Sequence, residues 1–517
     1  MERVMSKWQG VPPKAIQDFL NRKLDDYRTA KDISDETIQE LYDQLPITPP
    51  IWRILKREQK ICFLIGAWTP RFYFALDLGM GKTLLSIALG RYFNHLGYAE
   101  KIMVLVPRVA NKEEWGALIR KHTKDVPYLV LKGSTAEKWR QLETSNALFV
   151  IETYPGFRKM ISRRVSNGKK TVEELDPGRM RRMAELMQGM IYDELTQAKT
   201  QKSLIFKIAS TMSKSCKFTF GLSGTPFGRN PHDLWAQMFL VDLGETLGRT
   251  LSIFRAVFFN TNINYWGGYE YIFKRTLRRE LHRTLMHRMI RFKADESTLP
   301  PVSFLKQRIP LPKTNEPFYR RAIADLRAAK GNIKEIENAF LRLRQISSGF
   351  VGYKHDAEKG IIDLPDNPKL ELLITMLQSL DEKAVVFHDF IYSGKLIKAE
   401  LDKLGIKYSH IYGYTRDHEK ELSQFADDKD CKVMLLNSSS GAYGLDRLKA
   451  GKYGIYYESP VPAEIRFQSE RRVRRQLSKH KKVFLIDLVV TGTMDDRILQ
   501  FHAEGKDLFQ SIIEGKI

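Results

Sequence analysis

Two short tracts in this sequence combine the residue types that phosphate chemistry requires. The first is Leu76-Asp77-Leu78-Gly79-Met80-Gly81-Lys82-Thr83, which follows the apolar run FYFA and precedes LLSIALG. An apolar strand, a glycine-containing turn and a helix in that order make a loop that wraps closely around phosphate. Its backbone amides and the helix N-terminus then point at the phosphate oxygens. Lys82 would bridge the β- and γ-phosphates and Thr83 would ligate Mg²⁺. Gly79, Met80, Gly81, Lys82, Thr83 and Leu84 are the expected nucleotide contacts. The first glycine of the general G-x-x-x-x-G-K-T pattern is Leu76 here, and a plain strand-to-helix turn with an idle Lys82 is the competing reading. The second tract is Tyr192-Asp193-Glu194, at the end of the apolar run GMIYDE. In nucleotide hydrolysis an aspartate holds Mg²⁺ and a glutamate polarises the attacking water. One acidic pair alone fits a solvated strand end equally well. Its position after the glycine loop, with Ser223-Gly224-Thr225-Pro226 closing a further apolar run, favours hydrolysis.

These tracts need rigid elements to hold them. KIMVLVP (101–107), ALFVIET (147–153), GMIYDE (189–194) and FTFGLSGTP (218–226) read as buried strands ending in polar or turn residues. Strands alternating with helical stretches imply parallel β-α units, with ligands at the carboxyl ends of the strands. The rhythm returns in KAVVFHDF (383–390), KVMLLNSSS (432–440), YGIYYESP (453–460) and KVFLIDLVV (482–490), so an α/β fold with two lobes is expected. Residues 1–50 read as a helical N-terminal extension. The first lobe is expected over 51–300, with a helical insertion over about 232–300, and the second over 301–517, with a helical lead-in over about 312–350.

Composition narrows the class. Of 517 residues, 43% are hydrophobic and 28% charged, as in soluble globular chains. Lysine and arginine number 84 against 61 acidic residues, a net charge of +23, which suggests a polyanionic partner. The three cysteines, Cys62, Cys216 and Cys431, are far apart and form no C-x-x-C pair, which argues against both a disulfide framework and a zinc site. His282 and His287 lack neighbouring ligands and read as surface or packing residues. The N-terminus lacks a signal-peptide core and no apolar run is long enough to span a membrane, so a cytoplasmic protein is expected.

The order of these tracts resembles superfamily-two helicases, and most closely the Swi/Snf-type DNA translocases, from about residue 51 to residue 500. Leu55-Lys56-Arg57-Glu58-Gln59 looks like the family's glutamine motif, in which Gln59 would read adenine. LDLGMGKT looks like motif I, VLVPRVANKEEW like motif Ia and VIETYPGF like motif Ib. Ser223-Gly224-Thr225-Pro226, followed by N-P-H-D-L-W, matches motif III, and the resemblance gives Ser223, Gly224 and Thr225 a coupling role. Later, Leu343-Arg344-Gln345-Ile346 and Asn367-Pro368-Lys369-Leu370 resemble segments leading into the second lobe. Ser440-Gly441-Ala442-Tyr443-Gly444-Leu445-Asp446 resembles motif V, with Gly444 and Asp446 toward the nucleotide. Gln468-Ser469-Glu470-Arg471-Arg472-Val473-Arg474-Arg475-Gln476 resembles motif VI, which makes Arg472 and Arg475 the arginine fingers. Two departures stand out: Thr196 where the family usually has histidine, and Asp446 where asparagine is usual.

The resemblance implies two RecA-like lobes sharing one ATP with Mg²⁺. Lys82, Asp193, Glu194, Arg472 and Arg475 are then catalytic, with Thr83 and Asp193 toward the metal. It also implies a DNA partner, taken as double-stranded, gripped through its backbone by Arg108, Thr153, Tyr154, His388 and Ser438, with little sequence preference. Basic stretches at 158–182 and 274–293 are candidate extensions of that grip, with solvated faces as the alternative. A strand-separating helicase, a restriction-type motor subunit, and a non-catalytic binder with a vestigial glycine loop are the rival functions. The compact form looks like stand-alone bacterial or viral members, placing a viral protein in the host cytoplasm.

Overall fold

The computed structural model describes residues 14, 18, 32–77, 79–166, 171–198, 200–224, 231–263, 269–293, 299–328, 333–352, 360–415, 417–438, 446–475, 478–500 and 502–503. They fall into two compact units. The first holds the described residues up to Thr261 and those of Tyr271–Ala294, and the second those of Asn262–Glu270 and Asp295–Leu508.

The first unit is built on a seven-stranded parallel sheet. Its strands are β1 (Arg71–Leu76), β2 (Ile102–Val106), β3 (Tyr128–Val130), β4 (Phe149–Thr153), β5 (Gly189–Asp193), β6 (Phe218–Leu222) and β7 (Met289–Phe292). Their spatial order is β7-β1-β6-β5-β2-β4-β3, each pair parallel. Sequences such as FYFAL and IMVLV are apolar throughout because helices cover both faces of a parallel sheet. The core beneath it is aromatic: Phe93 stacks on Phe218 with ring centroids 4.7 Å apart, and Phe74, Tyr92 and Phe220 join the same buried cluster.

Several helix starts are written locally. The Thr153 side chain accepts from Gly156 N at the head of helix Tyr154–Ile161, and Ser134 with Glu137 forms a capping box on helix Thr135–Thr144. The stretch 232–300, expected to be a helical insertion, is only partly so. Besides helices Leu234–Asp242, Leu251–Phe258 and Arg278–Met286 it carries the strands Phe259–Ile263 and Tyr269–Phe273, and it supplies β7. The tetrapeptide Met289-Ile290-Arg291-Phe292 is too short for a periodicity, and pairing with β1 decides its conformation.

The second unit has a six-stranded parallel sheet of β8 (Val302–Ile309), β9 (Ala384–His388), β10 (Tyr408–Ile411), β11 (Val433–Asn437), β12 (Tyr453–Tyr456) and β13 (Val483–Val490). Their order is β8-β13-β12-β9-β11-β10. Alternate residues serve opposite faces, as strand geometry demands. Val385, Phe387, Met434 and Leu436 enter one apolar cluster, while Ala384, Val386, Val433 and Leu435 enter the other. Helices Glu316–Ala328 and Ile333–Ile346 precede β9. All eight strands expected from the apolar runs are present.

Candidate active site

The order of the first sheet sets β1, β6 and β5 side by side. The register Phe74↔Leu222 and Leu222↔Asp193 aligns their carboxyl ends. The glycine loop after β1, Ser223 after β6 and Asp193-Glu194 at the end of β5 therefore share one edge of the sheet, where parallel sheets bind ligands.

In the loop, Gly79 and Gly81 take φ values of 83° and 75°, a region open to glycine and costly for other residues. Gly81 is doubly constrained, because a Cβ there would lie 2.1 Å from Gln59 Nε2. Buried Gln59 uses both polar ends on backbone: Oε1 accepts from Lys56 N at 2.8 Å, and Nε2 donates to Gly81 O at 2.9 Å. Here the glutamine braces the phosphate loop. Lys82 opens helix Lys82–His95 and is buried, its ammonium donating to Leu76 O at 3.0 Å, and Thr83 and Leu84 follow half-buried. Leu78 lies outside the described residues.

The acidic pair is strongly coupled to its surroundings. Burial, and next the neighbouring Glu194, push the Asp193 carboxyl up to about 7, while a hydrogen bond from Trp115 and the charge of Lys82 oppose that rise. Trp115 Nε1 donates to Asp193 Oδ2 at 2.8 Å. Glu194 stands at φ 50°, one of two non-glycine residues in the left-handed region among those described. Such a backbone costs on the order of 1–3 kcal/mol and persists only when its surroundings hold it. One restraint is Ser223 Oγ, which donates to Glu194 Oε2 at 2.9 Å. Thr196 is buried close by in chain order, inside the short turn Leu195–Ala198. Gly224 is described, and Thr225 lies outside the described residues.

These residues suit a hydrated divalent cation beside phosphate. Two adjacent carboxyls at a buried strand end repel one another, and Thr83 offers a further hard oxygen. Mg²⁺ typically takes one or two protein oxygens and completes its shell with water and phosphate. No group of three or more His, Cys, Asp or Glu able to hold a metal occurs among the described residues.

The description of the SNF2-related domain matches residues 73–355, more than half of the chain. The chain belongs to the SNF2-related family. It is 22% identical over 458 residues to mouse "SWI/SNF-related matrix-associated actin-dependent regulator of chromatin subfamily A member 1", covering 84% of this chain and 41% of that protein. It is 23% identical over 443 residues to the ISWI chromatin-remodeling complex ATPase CHR11 of Arabidopsis thaliana, covering 82% of this chain and 39% of that one. The chain thus spans about two fifths of the length of these relatives. Among solved structures it is similar to the Sulfolobus solfataricus SWI2/SNF2 ATPase core in complex with dsDNA. That likeness has 20% identity and a TM-score of 0.41, covering 92% of this chain and 96% of that chain.

Within this SNF2-related chain, the residues expected to grip nucleic acid separate into two groups. Arg108 is half-buried at the head of helix Val109–His122, where a guanidinium can still reach solvent. The others are correctly placed in the chain but turned inward. Thr153 is buried and caps its helix, and buried Tyr154 donates its hydroxyl to Asp193 O at 3.0 Å. His388 is fully buried, with Nδ1 3.0 Å from Phe390 O and Nε2 3.2 Å from His410 Nε2. Burial holds the His388 imidazole down to about 4, so it is neutral. Ser438, also fully buried, donates to His388 O at 3.3 Å. All four side chains are enclosed in their own unit, so the resemblance gives their chain position and the structure adds their burial.

The helix whose sequence resembles motif VI is Ala463–Val473; Arg472 on it is buried and Arg475 just beyond it is half-buried. Gly444 lies outside the described residues, and Asp446 begins the short helix Asp446–Ala450. An unassigned residue, Arg466, anchors the motif VI helix. It forks onto both oxygens of Asp487, bonds Glu470 at 2.8 Å and lies 3.4 Å over the Tyr456 ring. Trp115, within the tract that resembles motif Ia, likewise receives no role from the resemblance. Its signal was available: a tryptophan buried on a helix must find an acceptor for its N–H.

The basic stretches are partly consumed by structure. Arg158 pairs with Glu173, and the hairpin Ser162–Ser166 with Thr171–Leu175 sets Arg163 and Arg164 opposite Glu174 and Glu173. Lys274 donates to the carbonyls of Ala256 and Val257, Arg278 is buried, and Arg288 pairs with Glu245. Arg279 and Arg283, one turn apart on helix Arg278–Met286, remain exposed as a short stripe, and Arg275 on the preceding turn Arg275–Leu277 is exposed as well.

Proposed function

We propose that this chain is an ATP-driven motor that translocates along duplex DNA without separating its strands. Family membership supports the class, and one local observation carries the chemistry: Glu194 is held in a left-handed backbone with Oε2 engaged by Ser223, and this reading assigns its Oε1 to a water. In the proposed reaction that water attacks the γ-phosphorus of ATP, its proton passes to Glu194 Oε1, and the bond to ADP breaks. Lys82 gives up its carbonyl partner for the phosphate oxygens, and the loop amides orient them. Mg²⁺, held by Thr83 and Asp193, would supply charge neutralisation of the phosphates when bound. Arg472 and Arg475 are assigned the permanent cationic charge that stabilises the transferring group.

DNA engagement in this proposal falls to half-buried Arg108 and to the exposed Arg275, Arg279 and Arg283, and contact through phosphates implies little base preference. The net charge of +23 supports a polyanionic ligand.

The test compares the wild-type chain with Glu194→Gln. The wild type should hydrolyse ATP faster with duplex DNA, and the variant should bind ATP while losing turnover by at least about a hundredfold. Equal turnover in both would remove Glu194 from its role. Displacement of a triplex third strand without duplex unwinding supports translocation, whereas unwinding would make the chain a helicase.

A further inference from the structure

Asp193 receives two hydrogen bonds that the hydrolytic scheme does not use. Trp115 Nε1–H donates to its Oδ2 at 2.8 Å, and the Tyr154 hydroxyl donates to its main-chain carbonyl at 3.0 Å. Both donors are buried. Trp115 sits on helix Val109–His122, which leaves β2 at Arg108, and Tyr154 opens helix Tyr154–Ile161, which leaves β4 at Thr153. In the sheet β5 pairs with β2 and β2 with β4, so both helices begin on the edge where Asp193 ends its strand. An indole has a single N–H to give, and a buried phenol spends its hydroxyl where it can. Each is directed at the same residue of β5.

The two bonds act on different parts of Asp193. The indole fixes Oδ2 and so sets the direction of Oδ1. The phenol holds the carbonyl of the peptide joining Asp193 to Glu194, the plane from which Glu194 enters its φ of 50°. We propose that Trp115 and Tyr154 are positioning residues through which helices Val109–His122 and Tyr154–Ile161, when DNA is bound, set the metal-holding carboxylate and the water-activating glutamate respectively. This inference rests on the motor reading above.

The experiment uses the full chain, Trp115→Phe and Tyr154→Phe, each checked by thermal melting. Binding of a fluorescent non-hydrolysable ATP analogue is measured across Mg²⁺ concentrations, and hydrolysis is measured with and without duplex DNA. Trp115→Phe should raise the Mg²⁺ needed for half-maximal analogue binding by roughly tenfold, as loss of a partner behind a metal ligand does. Trp115→His, which keeps a ring N–H, should recover part of that loss. Tyr154→Phe should keep analogue and Mg²⁺ affinity while cutting the ratio of DNA-stimulated to basal hydrolysis by about tenfold. If Trp115→Phe does not fold, Tyr154→Phe decides alone, because it removes one oxygen from a retained ring. Folded variants with wild-type Mg²⁺ dependence and a wild-type stimulation ratio overturn the inference. A wild-type chain that neither binds the analogue nor hydrolyses ATP overturns the motor reading itself, so the two failures are distinguishable.

Discussion

Asp193 is an acid that its own fold prefers to keep protonated. Burial, with Glu194 beside it, raises its carboxyl from the ordinary aspartate range to about 7. An acid raised in the folded state withdraws stability as pH rises. Below about pH 4 both states carry the proton and there is no penalty. Between about 4 and 7 the unfolded chain releases it first, and above 7 the penalty is complete. Without nucleotide and Mg²⁺, Asp193→Asn should therefore melt several degrees above wild type at pH 8, with the gap closing toward pH 4. Thermal melts across that range check it, and a gap that does not vary with pH would mean the carboxyl is not perturbed by its site. Saturating Mg²⁺ and ATP should stabilise the wild type and shrink the gap, since a ligand that binds only the folded state adds stability by mass action. A residue that destabilises the empty protein and is relieved by a cation fits a binding role. The sequence announced this carboxylate by its place after an apolar strand, but the size of the perturbation follows from burial.

Helix Ile391–Lys403 shows how one element is fitted to another. Gly394 lies inside it, where alanine would ordinarily be favoured by about 1 kcal/mol. A Cβ there would lie 2.6 Å from His388 Cε1. The imidazole has little room to yield, because Nδ1 is held at Phe390 O and Nε2 at His410, whose ring stacks on Tyr412. Overpacking of that kind costs roughly 1–3 kcal/mol, which exceeds the propensity gain. Gly394→Ala should lower the melting temperature of the chain, and a rise would show that the histidine moves aside. The strands around this helix were readable as apolar runs because a parallel sheet is buried on both faces. The glycine was not readable as special, since its reason is a side chain from the preceding strand. The same limit applied to Met289–Phe292, whose strand state depends on its pairing with β1.

Across the molecule, part of the positive charge is consumed within the fold. Carboxylates and carbonyls take up Arg158, Lys274 and Arg288, while Arg275, Arg279 and Arg283 stay exposed. If DNA is held by such cations, each contact releases a counterion, and log affinity falls linearly with log salt. With about six phosphates contacted, affinity should drop roughly a thousandfold between 50 and 200 mM salt. Fluorescence anisotropy with two duplexes of unrelated sequence should give the same slope. Replacing Arg279 and Arg283 by Gln should reduce that slope by about two, and an unchanged slope would remove the stripe from the interface. No described helix is long and apolar enough to cross a membrane.

The amino-acid order alone established the α/β class, the eight principal strands, the glycine loop and the acidic pair. These are local signals: apolar runs, glycines at turns, charges at strand ends. Family resemblance also placed Thr153, Tyr154, His388 and Ser438, but it carried position without exposure, and packing enclosed all four. Only the tertiary structure decided that Gln59 braces Gly81, that Ser223 engages Glu194, and that Trp115 and Tyr154 both bond Asp193. Each of these joins residues far apart in the chain. Strand order brings them together, and strand order is set by the packing of whole sheets, which no short stretch of sequence encodes.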